Sequence, residues 1–265
     1  MHSVDSVDSV DSVGNVADRG TILLTGAAGR IGTAFRHERG AHYHFRLADK
    51  FIETLQNDSQ GHEVVALDVA DLAACQVACR GIETVVHLAA DPDPNADFYG
   101  SLLDANIKGT YNIFRAAQDQ GCRRVIFASS AQATEAYPLD QQVMPTMPVR
   151  PKNMYGVSKC FGEAVAAYFA HCEGLSAIVV RIGNYNDFAL GQSHTARNMS
   201  AYLSRADMVQ LFTQCIDVPD IQFAIVHGIS NNRFKRLDLT ETRALLNYHP
   251  QDDAFRILGL PLYDT

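Results

Sequence analysis

Short β-branched runs alternate with longer helical stretches along this chain, the runs are apolar nearly end to end, and a glycine-rich turn follows the first of them. Together these observations predict an α/β domain built on a doubly wound parallel sheet. Strands buried on both faces lose the polar alternation of an exposed sheet. Each parallel pairing also needs a crossover, which the intervening helices supply. The 265 residues, 47% hydrophobic and 20% charged, suffice for one such domain with a substantial core.

Residues 1–19 repeat Ser-Val-Asp, a period of three that builds neither a helix stripe nor a strand face. They are expected to form a disordered tail outside the fold. The tail lacks the basic and apolar regions of a secretory signal. Residues 20–265 are read as a single domain, with substrate-pocket elements mainly in 184–265.

The first strand is "TILLT", Thr21–Thr25, and "GAAGRIGTAFRHE" turns directly from it into a helix. Gly26 permits the tight turn, Gly29 lets the main chain approach a pyrophosphate, and Gly32 allows close helix–strand packing. The helix N-terminus adds unpaired N–H groups and a partial positive charge. The pattern suggests a dinucleotide-binding, Rossmann-type turn, with an ordinary glycine-rich βα turn as the alternative. The second strand, residues 44–49, ends at Asp49, about twenty residues past the glycines, where a carboxylate accepts from an adenosine ribose and repels a 2′-phosphate. NAD is therefore expected over NADP, with Lys50 as a counter-signal. The third strand, residues 63–68, ends at Asp68, which either faces the adenine or caps the next helix.

A fourth strand over 84–89 ends in "HLAA", small residues where a cofactor would cross the sheet, and His87 reads as a packed strand residue. Further strands are expected over 124–129, 176–182 and 222–228. Helices are expected over 71–79, 98–120, 153–171 and 206–216.

Composition excludes several classes. The net charge is −8 and the densest basic run is "RFKR" at 233–236, so the footprint of a nucleic-acid binder is missing. An anionic substrate stays open, because local arginines can overrule the global sign. No window reaches membrane-spanning length. The six cysteines show no metal spacing, and Cys75 and Cys79 read as small packed residues, so a reducing cytosol is expected.

The chemistry centres on "YGVSK". Tyr155 and Lys159 are four residues apart and share a helix face, with Cβ atoms roughly 5–6 Å apart. A free tyrosine ionises near ~10, and lowering that by about three units takes roughly 4 kcal/mol of differential interaction. The Lys159 ammonium and an oxidised nicotinamide could supply it together, making Tyr155 a general base for a substrate hydroxyl. Ser129 and Ser130, ending the fifth strand at the edge where open sheets bind ligands, could hold the substrate oxygen.

With "TGAAGRIG", "DV" at Asp68 and Val69, "HLAA", "NIKGTYNIFRAA", "FASS" and "YGVSK" in this order, the chain resembles the extended short-chain dehydrogenase/reductase superfamily, the NAD-dependent epimerase/dehydratases. The resemblance implies a catalytic set of Ser130, Tyr155 and Lys159. It implies cofactor contacts from the first turn (Gly26, Ala28, Gly29, Arg30, Ile31), from Asp49, Asp68 and Val69, and from Leu88, Ala89 and Ala90. Asn106, Ser129, Tyr155, Lys159 and Ile182 complete that envelope. A homodimer through the helices of 98–120 and 153–171 is also implied.

Within the superfamily the chain looks most like uronate dehydrogenases and related NAD-dependent sugar dehydrogenases, through "YGVSKCFGE", "VRIGN" and "RNMSAYLSRADMVQL". There the arginine matching Arg197 grips the substrate carboxylate. The other implied substrate contacts are Asp91, Ser130, Ala131, Gln132 and Asn184. Two places depart from that pattern. Ala131 and Gln132 stand where those enzymes carry Asn-His, and Asp91 begins a segment where they place a serine. The expected substrate is thus a uronate, an aldose or a sugar phosphate. His194 is expected at the surface, and Arg181 and Arg233 are expected to be structural. A nucleotide-sugar epimerase or dehydratase is the alternative, disfavoured by the short part after Ile182. A non-catalytic NAD-binding protein is a further one, disfavoured by the complete catalytic set.

Overall fold

A computed structural model describes residues 20–260; the tail expected over residues 1–19 lies outside them. The element order is β1 (Thr21–Thr25), α1 (Arg30–Arg39), β2 (Phe45–Asp49), α2 (Glu53–Asn57), β3 (Glu63–Ala66), α3 (Leu72–Ala78) and β4 (Ile82–His87). A π-helix (Phe98–Lys108) runs into α4 (Gly109–Asp119), followed by β5 (Arg124–Ser130), a 3-10 turn (Ala131–Thr134), α5 (Met154–Glu173) and β6 (Ser176–Ile182). The C-terminal part holds β7 (Asn184–Tyr185), α6 (Ala196–Ser200), β8 (Tyr202–Leu203), α7 (Arg205–Asp217), β9 (Phe223–Gly228), α8 (Thr240–Leu246) and α9 (Ala254–Ile257).

All seven strands of the main sheet run parallel, in the order β3-β2-β1-β4-β5-β6-β9. The chain moves outward from β1 in one direction, then returns past it to β4. That reversal opens a crevice beyond the carboxyl ends of β1 and β4, where ligands bind in such sheets. The seven predicted strands are all present, with ends shifted by a residue or two.

Alternation along each strand sends side chains to two cores. Ile22, Leu24, Val86, Ile126 and Val180 pack with Phe35 of α1 and Phe212 of α7. Leu23, Val85, Val125, Phe127 and Val179 pack on the other face with Phe114 of α4, Phe169 of α5 and the buried Cys75 and Cys79. These cysteines are packing residues, and among the described residues no group of His, Cys, Asp or Glu could hold a metal. No described helix is long and apolar enough to cross a membrane.

One predicted helix is built differently. Over 98–120 the first half is π-helical and only the second is α-helical. Asp97 starts it by accepting from Gly100 N at 2.6 Å. The wider turn keeps Asn106 inside, 2% exposed, where its Nδ2 donates to Asp91 O and to Ser158 Oγ on α5. A π-turn held by a buried side chain beside a ligand crevice is a common placement.

Candidate active site

The crevice is assembled from the ends of β1, β2, β4 and β5 and the starts of α1 and α5. At β1, Gly26 has φ +68°, and a Cβ there would lie 2.7 Å from Ala89 N. The turn therefore needs glycine both for its conformation and for its closeness to the β4 end. Leu88 N and Ala89 N donate to Thr25 O and Thr25 Oγ1, at 3.2 and 3.3 Å, which binds the "HLAA" segment to β1. Gly29 is the N-cap of α1 and has no side chain to satisfy the first turn. The ten-residue helix thus offers its N–H groups to a phosphate. Arg30 reaches across the crevice to Tyr185 O and Asn186 Oδ1, at 2.9 and 3.0 Å. Ile31 packs on the core beneath the turn.

Asp49 lies where expected. Its Oδ2 accepts from Ala28 N at 3.0 Å, pinning the carboxylate beside the glycine turn. The counter-signal from Lys50 dissolves, because its ammonium is 2.8 Å from Asp68 Oδ2. Asp68 also accepts from Ala70 N at 3.0 Å, and the Lys50 bond holds its carboxyl below the usual range. The cap of the next helix is Asp71, which accepts from Ala74 N. Val69 lines the packing between α3 and α4.

Tyr155 and Lys159 lie in the first two turns of α5, both nearly buried, at 9% and 4% exposure. Asn153 starts that helix by accepting from Gly156 N at 2.7 Å, and its Nδ2 donates to Gln132 Oε1 at 3.0 Å. Gly156 is required by proximity, since a Cβ would sit 2.4 Å from Gln132 O. These two contacts press the α5 start against the β5 end. Ser130 is thereby brought close enough to the Tyr155 hydroxyl to favour phenolate, while its Oγ accepts from Gln132 N at 3.2 Å.

The Lys159 ammonium is 5.5 Å from the centre of the Tyr155 ring and 5.2 Å from that of Phe127. Burial alone pushes its pKa down to about 8. Among the described residues it meets no hydrogen-bond acceptor. A buried ammonium without an anion is costly unless a ligand supplies oxygens. Burial raises the Tyr155 pKa despite Ser130, and the nearby Asp91 carboxylate raises it further. Lys159 is not among the groups that shift it, so the expected depression by the ammonium is not seen.

Other predicted residues have different roles. Ser129 donates to Glu163 Oε1 at 2.6 Å, so its hydroxyl serves a buried network with Arg181, whose fork meets both Glu163 oxygens at 2.9 and 2.8 Å. The Ser129 hydroxyl is thus engaged away from the crevice, and Arg181 is structural as read. His87 is buried, bonded to Thr25 Oγ1 at 2.8 Å and pushed down to about 3 by burial, hence neutral. Asn106 and Asp91 form one unit: Asp91 N donates to Asn106 Oδ1 at 2.8 Å, and Asp91 Oδ2 accepts from Ser101 Oγ at 2.5 Å.

Ala131 and Ala90 flank the crevice, and Ile182 ends β6 beside Ser130. Asn184 has a buried Nδ2 with no partner. Arg197, expected by resemblance to contact the substrate, is paired with Glu135 at 2.8 and 2.6 Å through two nitrogens. His194 stacks on Phe188 at 3.7 Å rather than lying open at the surface. Arg233 is structural, pairing with Asp253 and lying over Phe255. Sequence reading missed Glu135 and Glu163, whose partners are distant in the chain. It also missed Asn153, which its place before an apolar helix could have flagged.

A glycine turn, an acidic β2 end and a Ser-Tyr-Lys constellation over a topological reversal define an NAD-dependent dehydrogenase of the extended short-chain type. Comparison with known proteins agrees. The model of the NAD-dependent epimerase/dehydratase family matches residues 22–212, and the chain belongs to that family. It is 37% identical to an NAD-dependent glucose-6-phosphate dehydrogenase of Haloferax volcanii, over 91% of this chain and 97% of that protein. It is 33% identical to a uronate dehydrogenase of Pseudomonas putida, over 88% and 84%. The crystal structure of the Y136A uronate dehydrogenase of Agrobacterium tumefaciens with NAD superposes at a TM-score of 0.80, with 31% identity and 92% of each chain covered.

Proposed function

We propose that the protein oxidises a hydroxyl of a sugar, with Tyr155 as general base. The observation that carries this reading is the Ser130–Tyr155–Lys159 arrangement, in which a buried ammonium without an acceptor stands one turn from a buried phenol. Both are groups whose present environment opposes their working form, as at many catalytic sites. Sugar chemistry is supported by the relatives, which include an L-arabinose 1-dehydrogenase of Haloferax volcanii at 31% identity over 89% of this chain and 98% of that protein.

When bound, NAD would supply the hydride acceptor for the substrate carbon. The α1 N-terminus and Gly29 would hold its pyrophosphate, Asp49 its adenosine ribose, and Lys159 its nicotinamide ribose. Tyr155 removes the substrate hydroxyl proton, and Ser130 holds the same oxygen by hydrogen bond. Lys159 lowers the cost of the phenolate through its charge. Asn106 keeps the Asp91 segment and α5 in register. Asp91, Gln132 and Asn184 supply polar contacts to the sugar.

Two apolar stripes favour a homodimer. Met154, Val157 and Tyr168 on α5 and Tyr111 on α4 are 40–53% exposed, beside the packed α4–α5 pair. A second copy covering them would form a four-helix interface. Six free cysteines suit a reducing cytosol.

The test is NADH formation, followed at the nicotinamide absorbance, across aldoses, uronates and sugar phosphates. Net NADH with at least one of them is expected. Epimerisation without net NADH would replace this reading.

A further inference from the structure

Glu135 directly follows the 3-10 turn that starts at Ser130, and Arg197 lies on α6 just before β8. β8 pairs with β7, the strand of Asn184. The Glu135–Arg197 pair therefore joins the substrate-oxygen end of β5 to the segment that carries Asn184. Its geometry is a fork on a carboxylate, 2.8 Å from Nε to Oε1 and 2.6 Å from Nη2 to Oε2, with side chains 19% and 10% exposed. The Nε/Nη2 edge is filled in this way and the guanidinium charge is already neutralised, so a substrate carboxylate could reach only the Nη1/Nη2 edge and would compete with Glu135 for the same charge. The remaining guanidinium nitrogen, Nη1, is 3.5 Å from Asn198 Oδ1.

The neighbouring charges add nothing for an anion. Arg236 is buried and spends its donors on the carbonyls of Tyr137, Pro138 and Gln141. The Asp91 carboxylate is near enough to Tyr155 to act on it. A substrate carboxylate entering here would meet two like charges and one arginine already neutralised.

Resting on the dehydrogenase reading above, we propose that Glu135 is a specificity-determining residue that pre-empts Arg197 and makes the substrate a neutral aldose. The paired side chains then present donors and acceptors of no net charge, which suit sugar hydroxyls. Glu135 acts through Arg197, as a positioning residue.

The experiment compares the wild-type protein with Glu135→Ala and Glu135→Gln, at saturating NAD, on glucose against glucuronate, galactose against galacturonate, and glucose 6-phosphate. The wild type is expected to prefer the neutral sugar of each pair. Glu135→Ala should shift the uronate-to-aldose ratio of kcat/KM toward uronate by at least about tenfold, a change in discrimination that a merely structural role would not produce. Glu135→Gln, which keeps the volume and loses the charge, should shift it part of the way. Wild-type preference for a uronate or for glucose 6-phosphate would overturn the proposal. So would an unmoved ratio in variants that NAD still stabilises against heat. Absence of NADH with every sugar would instead refute the dehydrogenase reading. In that case the thermal shift of NAD-loaded protein by glucuronate decides on Glu135 alone: a shift only in Glu135→Ala supports it, and equal shifts overturn it.

Discussion

Lys159 Nζ lies 5.5 Å from the centre of the Tyr155 ring, and burial has brought the pKa of this lysine down to about 8. The ammonium is still the main form at pH 7, but it is held there against desolvation. On the proposed mechanism this charge is what lowers the cost of the Tyr155 phenolate.

Replacing it by methionine keeps the bulk and removes the charge. Lys159→Met should lower kcat/KM by about 10²–10³-fold and move the acidic, rising limb of its pH profile to higher pH. A pH profile unchanged in position would show that the lysine does not act on the base.

Asp49 pins itself to the glycine turn through Ala28 N at 3.0 Å. Asp49→Ala should weaken NAD about tenfold or more and narrow the gap to NADP, because the carboxylate both accepts from ribose and repels phosphate. Titration with the two cofactors measures this. An unchanged NAD to NADP ratio contradicts the assignment.

Behind the catalytic strand, Glu163 neutralises Arg181, with side chains only 5% and 2% exposed. Glu163→Ala leaves that guanidinium buried and alone, and should cost about 3–5 kcal/mol in chemical denaturation. The double variant Glu163→Leu, Arg181→Met should recover much of the loss. A double variant as unstable as the single one would mean that packing, not charge, sets the cost.

Acid should destabilise the fold before most carboxylates titrate. Burial is the leading cause that pushes His87 down to about 3 and His227 to about 4. Unfolded histidine binds its proton near ~6.5, so below that pH the unfolded state holds more protons and stability falls as pH drops. The window runs from about 6.5 to about 4 for His227 and to about 3 for His87. Between pH 7 and 5 the two together should cost about 2–4 kcal/mol in urea unfolding. A flat profile over that range would contradict the buried neutral rings.

Much of this was legible in the chain because the signals are local. All seven strands of the main sheet, the glycine turn, Asp49 and the Tyr155–Lys159 face follow from spacing within about twenty residues. What escaped depends on pairing at a distance. Glu135 and Arg197 are 62 residues apart, and Glu163 meets Ser129 and Arg181 across 34 and 18. An isolated Glu in a loop or an interior Glu on a helix carries no mark of its partner. The π-helical half of 98–120 escaped for another reason. Its composition is that of any helix, and the bonds of its buried Asn106 to Asp91 and Ser158 are with residues 15 and 52 positions away.

The phenol of Tyr155 bears the central claim most directly. Tyr155→Phe removes one oxygen and keeps the ring, so NAD should still bind within about threefold while turnover of the preferred sugar drops by at least about 10²-fold. Turnover near the wild-type rate in this variant, with NAD bound as before, would contradict the account.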